Sequence, residues 1–285
     1  MQKPTWKHLF LLYLSQLLGC ATTQPSRGDL ISLRAKYEEK LEELRKNSDT
    51  HLAGWPSDKE CDGALWAGIA RAAGATWVDV TAAVQPDGRP TRMPFSDCGP
   101  GNLGYNNGSA TTISNDMLTG IMLGLYADND AATAKMIWEY GYSHNWTMGY
   151  PEYYVSRVLL RPNGITMLAR LLHKTSGGSI DYTARWGPVL YGPAVEDFEG
   201  HLMMLGRYLE AKLGGPQYGM EIAELVGAKY RQGDAFAQAV AGEYSRATAL
   251  LLGDYQSPSY VRGHPNYPLV HWLIAAKIVL DGAGG

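Results

Sequence analysis

Apolar residues recur three and four positions apart through most of this chain, the spacing that gathers them on one face of an α-helix. The pattern predicts helices over Gly63 to Ala73, Ser114 to Tyr126, Asp130 to Tyr142, Gly164 to Lys174, Val195 to Leu213, Met220 to Arg231, Asp234 to Leu252 and Pro268 to Leu280. Boundary chemistry agrees with it: Asp130 and Asp234 stand where N-caps belong, Pro268 falls in a first turn, and Gly177, Gly214 and Gly233 follow helix ends. Strand-like alternation is confined to Thr76 to Val80. Before these, the charged stretch from Asp29 to about Asn47 carries a narrow stripe of Leu30, Leu33, Tyr37, Leu41 and Leu44. That is a helical arm, which either packs on the body or lifts it from whatever it is tethered to. No helical segment reaches the roughly 18 apolar residues of a membrane span. No Gly/Ser-rich linker follows Pro56, so residues 51–285 read as one all-α domain.

Between the helices lie the long segments Gln85 to Thr111, Ser143 to Pro162, Ser176 to Pro193 and Asp254 to Tyr267. They hold Trp146, Trp186, Arg92, Arg161, Arg262, His144 and His264, and loops of such length in a compact domain usually carry function. Composition sharpens this. With 45% hydrophobic residues the chain is too apolar for disorder, and 25 basic against 28 acidic residues gives no phosphate-binding surface, so nucleic acid is excluded as a partner. Against 18 Tyr and 8 Trp stand only 4 Phe. Tyr and Trp combine a flat apolar body with a polar edge, which suits a half-wet cleft for an amphipathic ligand such as a sugar.

At the N-terminus Lys3 and Lys7 precede an apolar run from Leu9 to Leu18, then Gly19-Cys20 and the polar segment Ala21 to Arg27. That order is an export signal. Leu17-Leu18-Gly19-Cys20 resembles the lipobox of bacterial lipoproteins. The resemblance implies removal of residues 1–19 as a signal peptide and acylation of Cys20. With Ala21 next, it also implies delivery to the outer membrane, facing the periplasm. Two or more acyl chains anchor a protein stably without spanning the bilayer, so residues 20–50 form a lipid-anchored tether and arm. An oxidising compartment permits Cys61 and Cys98 to pair, a bond contributing roughly 4 kcal/mol in the chain-entropy model. The competing readings are two free buried thiols, or Cys61 as a nucleophile with His201.

Antiparallel helix pairs capped at one end by aromatic and Arg-rich loops resemble the α/α toroid enzymes that act on polysaccharides, in an incomplete or six-pair arrangement. Three segments supply candidate carboxylates. Asp62, within Cys61-Asp62-Gly63-Ala64-Leu65-Trp66, opens an apolar helix, where it either caps or, as the toroid resemblance implies, stands at the rim of a cleft with Trp66 one turn on. Asp116 follows Ser114, which can cap the most apolar helix and leave Asp116 in its first turn. In Glu196-Asp197-Phe198-Glu199-Gly200-His201-Leu202, the stripe Phe198, Leu202, Leu205, Leu209 places Glu199 and His201 beside the core. There Glu199 acquires the raised pKa a general acid needs, or pairs with an arginine.

The expectation is a glycoside hydrolase with Asp62, Asp116, Glu199 and His201 as catalytic candidates and Trp66, Arg92, Trp146, Arg161, Trp186, Arg262 and His264 binding a polysaccharide or oligosaccharide. A lyase acting on uronic-acid polymers is a near variant. The alternative is a non-catalytic envelope lipoprotein that binds glycan or a partner through the same cleft. No His-Glu-x-x-His and no clustered Cys/His set is present, so neither metal nor cofactor is expected. Gly99-Pro100-Gly101-Asn102-Leu103-Gly104 lacks the flanking elements of a nucleotide site and reads as a turn.

Overall fold

The computed structural model describes residues 24–48, 54–56, 62–92, 113–148, 158–159, 162–178, 197–214, 233–258, 261 and 266–284. The described residues are mostly helical, as the periodicity predicts. The helices are α1 (Arg27–Asn47), α2 (Gly63–Ala72), α3 (Asn115–Asp128), α4 (Ala131–Ser143), α5 (Pro162–Thr175), α6 (Asp197–Lys212), α7 (Ala235–Val240), α8 (Tyr244–Leu252) and α9 (Tyr267–Ala283). A two-residue ribbon, β1 (Thr147–Met148) with β2 (Val158–Leu159), lies between α4 and α5.

Several boundaries form for the expected reasons. Asp130 Oδ1 accepts from the Thr133 N–H at 3.0 Å, and Asp234 Oδ1 from Phe236 and Ala237 at 3.0 and 3.4 Å. Pro268 occupies the first turn of α9. Two expectations are corrected. The helix predicted over Asp234 to Leu252 is two helices, because Gly242 adopts φ 82°, a left-handed conformation that turns α7 into α8. Thr76 to Val80 is no strand: the chain turns there, and Asp79 accepts from the Thr81 N–H to start a 3₁₀ turn at Val80–Ala83. The helix predicted over Met220 to Arg231 lies outside the described residues.

Four of the described helices, α2, α3, α6 and α9, run the same way. Near their starts, Trp66 of α2 stacks on Tyr267 of α9 at 4.4 Å between centroids and on His201 of α6 at 5.8 Å. Near their ends, Arg71 of α2 pairs with Asp128 of α3, and Tyr208 of α6 and Lys277 of α9 line one cleft with them. α8 returns along α9: Tyr244 meets Gly282, and Trp272 Nε1 donates to the Leu251 carbonyl at 3.4 Å. The tightest contact is between α2 and α3, where Gly68 and Gly120 face each other and bring the two backbones together.

The core between these helices is filled by Leu65, Ile69, Leu118, Ile121, Leu168, Leu205, Val270 and Ile274, all but buried. Each such side chain contributes about 1.5–3 kcal/mol by leaving water. Glu210, buried on α6, is held by Arg170 of α5 at 3.1 Å and Arg207 at 3.2 Å.

The arm packs on the body. Ser26 caps α1 by accepting from the Asp29 N–H at 3.1 Å; Leu33 and Leu44 of the stripe are fully buried, and Leu30, Tyr37 and Leu41 pack beside them. Lys36 and Lys40 place their ammonium groups 5.7 and 5.4 Å from the Trp272 ring centre, and Lys36 also donates to the Leu251 carbonyl at 2.9 Å. Tyr37 donates to the Ala73 carbonyl at 2.6 Å, just past the end of α2. Burial, and secondarily the Asp281 carboxylate, push the Tyr37 hydroxyl up to about 12. A phenol whose folded pKa is raised contributes stability that is complete below its unfolded value of about 10 and is lost as pH climbs through 12. Denaturant midpoints should therefore fall between pH 10 and 12. In Tyr37→Phe that decline should be shallower, though not flat, because burial raises Tyr208 as well. An unchanged slope in Tyr37→Phe would show that the contact is not formed.

Candidate functional site

The like-directed helices bring the first turns of α2, α3 and α6 to one end of the bundle. Three of the four catalytic candidates can be followed there as side chains. Asp62 stands at the N-cap position of α2 but makes no capping hydrogen bond. Its carboxylate instead faces Arg92, whose guanidinium donates to Oδ1 at 3.4 Å, while the Arg92 carbonyl accepts from the Ala64 N–H at 2.8 Å. Two residues predicted separately, one as an acid and one as a substrate-binding cation, are thus in contact. Arg92 is 9% exposed, so the pair sits in a wall of the molecule rather than on a free surface.

Asp116 lies half-buried in the first turn of α3, and among the described residues no hydrogen bond or ion pair engages its carboxylate. Ser114 occupies the N-cap position as expected, yet its buried hydroxyl makes no cap and has no partner among the described residues. Because Gly120 packs on the backbone of Leu65, one turn back from each brings Asp116 and Asp62 level on neighbouring helices. Glu199 is placed by its backbone alone in the first turn of α6, two residues before His201.

Beneath this end lies a buried layer of rings. His201, fully buried, is stacked near Trp66, 5.3 Å from Phe236 and 5.4 Å from His271 between ring centres. The Tyr255 hydroxyl lies 3.2 Å from His271 Nδ1 and donates to Asp234 Oδ1 at 3.2 Å; His271 Nε2 is 3.8 Å from the same oxygen. Asp234 is therefore more than a cap. It ties α7, the segment before α9 and α9 itself into one polar knot inside the core.

Trp66, 3% exposed and stacked on two rings, braces this layer and leaves little surface for a sugar. Trp146 is a packed loop residue: it follows Asn145 in left-handed backbone, φ 53° and 60°, and meets Trp138 edge-on at 4.7 Å. A side chain on Gly141 would collide with it. Cys20, Cys61, Cys98, Arg161, Trp186, Arg262 and His264 lie outside the described residues, and with them the lipidation, the disulfide and four of the seven binding candidates.

No family model, curated protein or solved structure matches the chain. Among the described residues no group of three His, Cys, Asp or Glu side chains converges as a metal site, and no helix is long and apolar enough to cross a membrane.

Sequence reasoning missed His271, Tyr255 and Tyr267, of which the first two carried a faint signal. His271 is the one imidazole inside the apolar run from Leu269 to Leu280, and a polar ring in such a run needs a partner. Tyr255 follows the Gly253-Asp254 break that ends α8, a place where loop chemistry conceals a core contact.

Proposed function

We propose that this protein is a glycan-active enzyme of the bacterial cell envelope, anchored through Cys20 and most simply a glycoside hydrolase working at the end of the bundle that carries Asp62 and Asp116. The observation carrying the reading is the placement of Asp62: a carboxylate at a helix start that makes no capping bond and faces Arg92, level with an unengaged carboxylate on the adjoining helix. A carboxylate beside a guanidinium suits a base or nucleophile, whereas one free of cations suits a proton donor. Asp62 would therefore activate water or attack the anomeric carbon, and Asp116 or Glu199 would protonate the leaving oxygen.

The toroid reading rests on the same helices. Four run alike around a common core and α8 returns along the outside of α9, as an inner and an outer layer require.

The burial of His201 favours a second reading, a non-catalytic glycan-binding lipoprotein, since that catalytic candidate is closed to substrate. Reducing-end release from envelope polysaccharides by the full chain separates the two. The hydrolase reading expects turnover that falls roughly tenfold or more in Asp62→Asn and in Asp116→Asn with unchanged thermal stability. Binding without release supports the second reading, and neither binding nor release sinks both.

A further inference from the structure

The end of the bundle opposite Asp62 holds a cleft of about 350 Å³ that no candidate residue touches. It opens where α2, α3, α6 and α9 finish. Its walls include Tyr126 and Tyr208, and its charged groups are Arg71, Lys212, Lys277 and Asp281. Two of the three cations are already matched, Arg71 by Asp128 and Lys277 by Asp281. Among the described residues no carboxylate pairs with Lys212; its ammonium lies over the Tyr208 ring, 5.4 Å from the centre. The lining therefore keeps one uncompensated positive charge, held against an aromatic wall, in a space that fits one or two sugar rings and falls in the ordinary range for small-molecule sites.

We propose that this cleft binds a single acidic sugar residue of the hexuronate type, with its carboxylate at Lys212 and its ring against Tyr208 and Tyr126. Each feature contributes one element of recognition. The ammonium of Lys212 meets the anion as a point charge. Aromatic faces accept the C–H side of a pyranose ring, and the paired Arg71 and Lys277 retain donors for ring hydroxyls. Four helices end here, and their terminal carbonyls make this end partially negative, which weighs against any anion and most against a multiply charged phosphate, so the single carboxylate depends on Lys212. The cleft is independent of the carboxylates at the far end, so it stands or falls without the hydrolase reading.

Isothermal titration of the full chain with D-glucuronate, D-glucose and inorganic phosphate tests it. Glucuronate should bind at least tenfold more tightly than either glucose or phosphate. Lys212→Met, which keeps the length of the side chain, should bring glucuronate down to the level of glucose without changing the thermal midpoint. Half-buried Tyr126→Ala should weaken both sugars alike. Equal binding of glucuronate and glucose, or of glucuronate and phosphate, overturns the proposal. So does glucuronate binding that survives Lys212→Met, or that is lost in Asp62→Asn, which would put the sugar at the other end.

Discussion

A Gly120→Val chain is expected to lose cooperative unfolding under conditions where the parent is folded. In an exposed helix, replacing glycine usually adds about 1 kcal/mol of stability, because glycine loses more backbone freedom on folding than any other residue. At Gly120 the sign reverses. A Cβ there would stand 2.5 Å from the Leu65 Cα, 2.6 Å from its carbonyl oxygen and 2.8 Å from that of Ala64. These are backbone atoms of α2, which no rotamer change can move aside. Valine adds two methyl groups to that collision, so α2 and α3 must separate along their whole contact and the buried Leu65, Ile69, Leu118 and Ile121 lose one another. The cost is on the order of 3 kcal/mol or more, large against the total stability of a domain this size. Circular dichroism melts would check it, with Gly233→Ala as the control, since nothing lies within 4 Å of a Cβ at that position. A Gly120→Val melt within about 1 kcal/mol of the parent would mean that the two helices do not meet there.

Asp234→Ala is the second large effect, and it reaches further than a cap. The carboxylate accepts from two backbone N–H groups of α7 and from the Tyr255 hydroxyl, and it lies beside His271 in the core. Removing a cap alone costs about 1 kcal/mol. Here the loss also deprives a half-buried hydroxyl of an acceptor and a buried imidazole of a neighbouring carboxylate, so about 3 kcal/mol is expected in urea denaturation. Asp234→Asn should keep the cap and part of the knot, and fall between the parent and the alanine variant. If asparagine costs almost nothing and alanine only about 1 kcal/mol, only the cap matters and the contacts with Tyr255 and His271 contribute nothing.

How far the sequence could be read depends on which forces are local. Helix starts at Asp130, Asp234 and Pro268 were legible because capping is a contact between neighbours in the chain. The stripe of α1 was legible in the same way, and two of its leucines, Leu33 and Leu44, are fully buried as the spacing implies. What the stripe faces was not legible, since Trp272 lies far along the chain. The break at Gly242 was missed because apolar periodicity runs through it, and only the left-handed backbone of the glycine turns the chain. At the candidate site, Asp62 and Arg92 were each identified from residue type, but their meeting depends on a 30-residue excursion returning to the start of α2. Ser114 and Trp66 show the opposite failure. Their local patterns suggest a cap and a sugar platform, and tertiary packing gives the first no partner among the described residues and covers the second. The cleft beside Lys212 was not legible at all, because it is assembled from the last turns of four helices that are far apart in sequence.

The union of α1 with α8 and α9 bears on how the chain reaches its native state. Lys36 and Lys40 meet Trp272, and Lys36 meets the Leu251 carbonyl, across more than two hundred residues. During synthesis α1 emerges early and waits, its buried leucines without their cover until α9 has left the ribosome. Contacts of such sequence separation carry a large loop-closure cost and slow the folding step that depends on them. α9 is thus a latch for α1, and the nascent chain has an interval in which the stripe of α1 is open to chaperones.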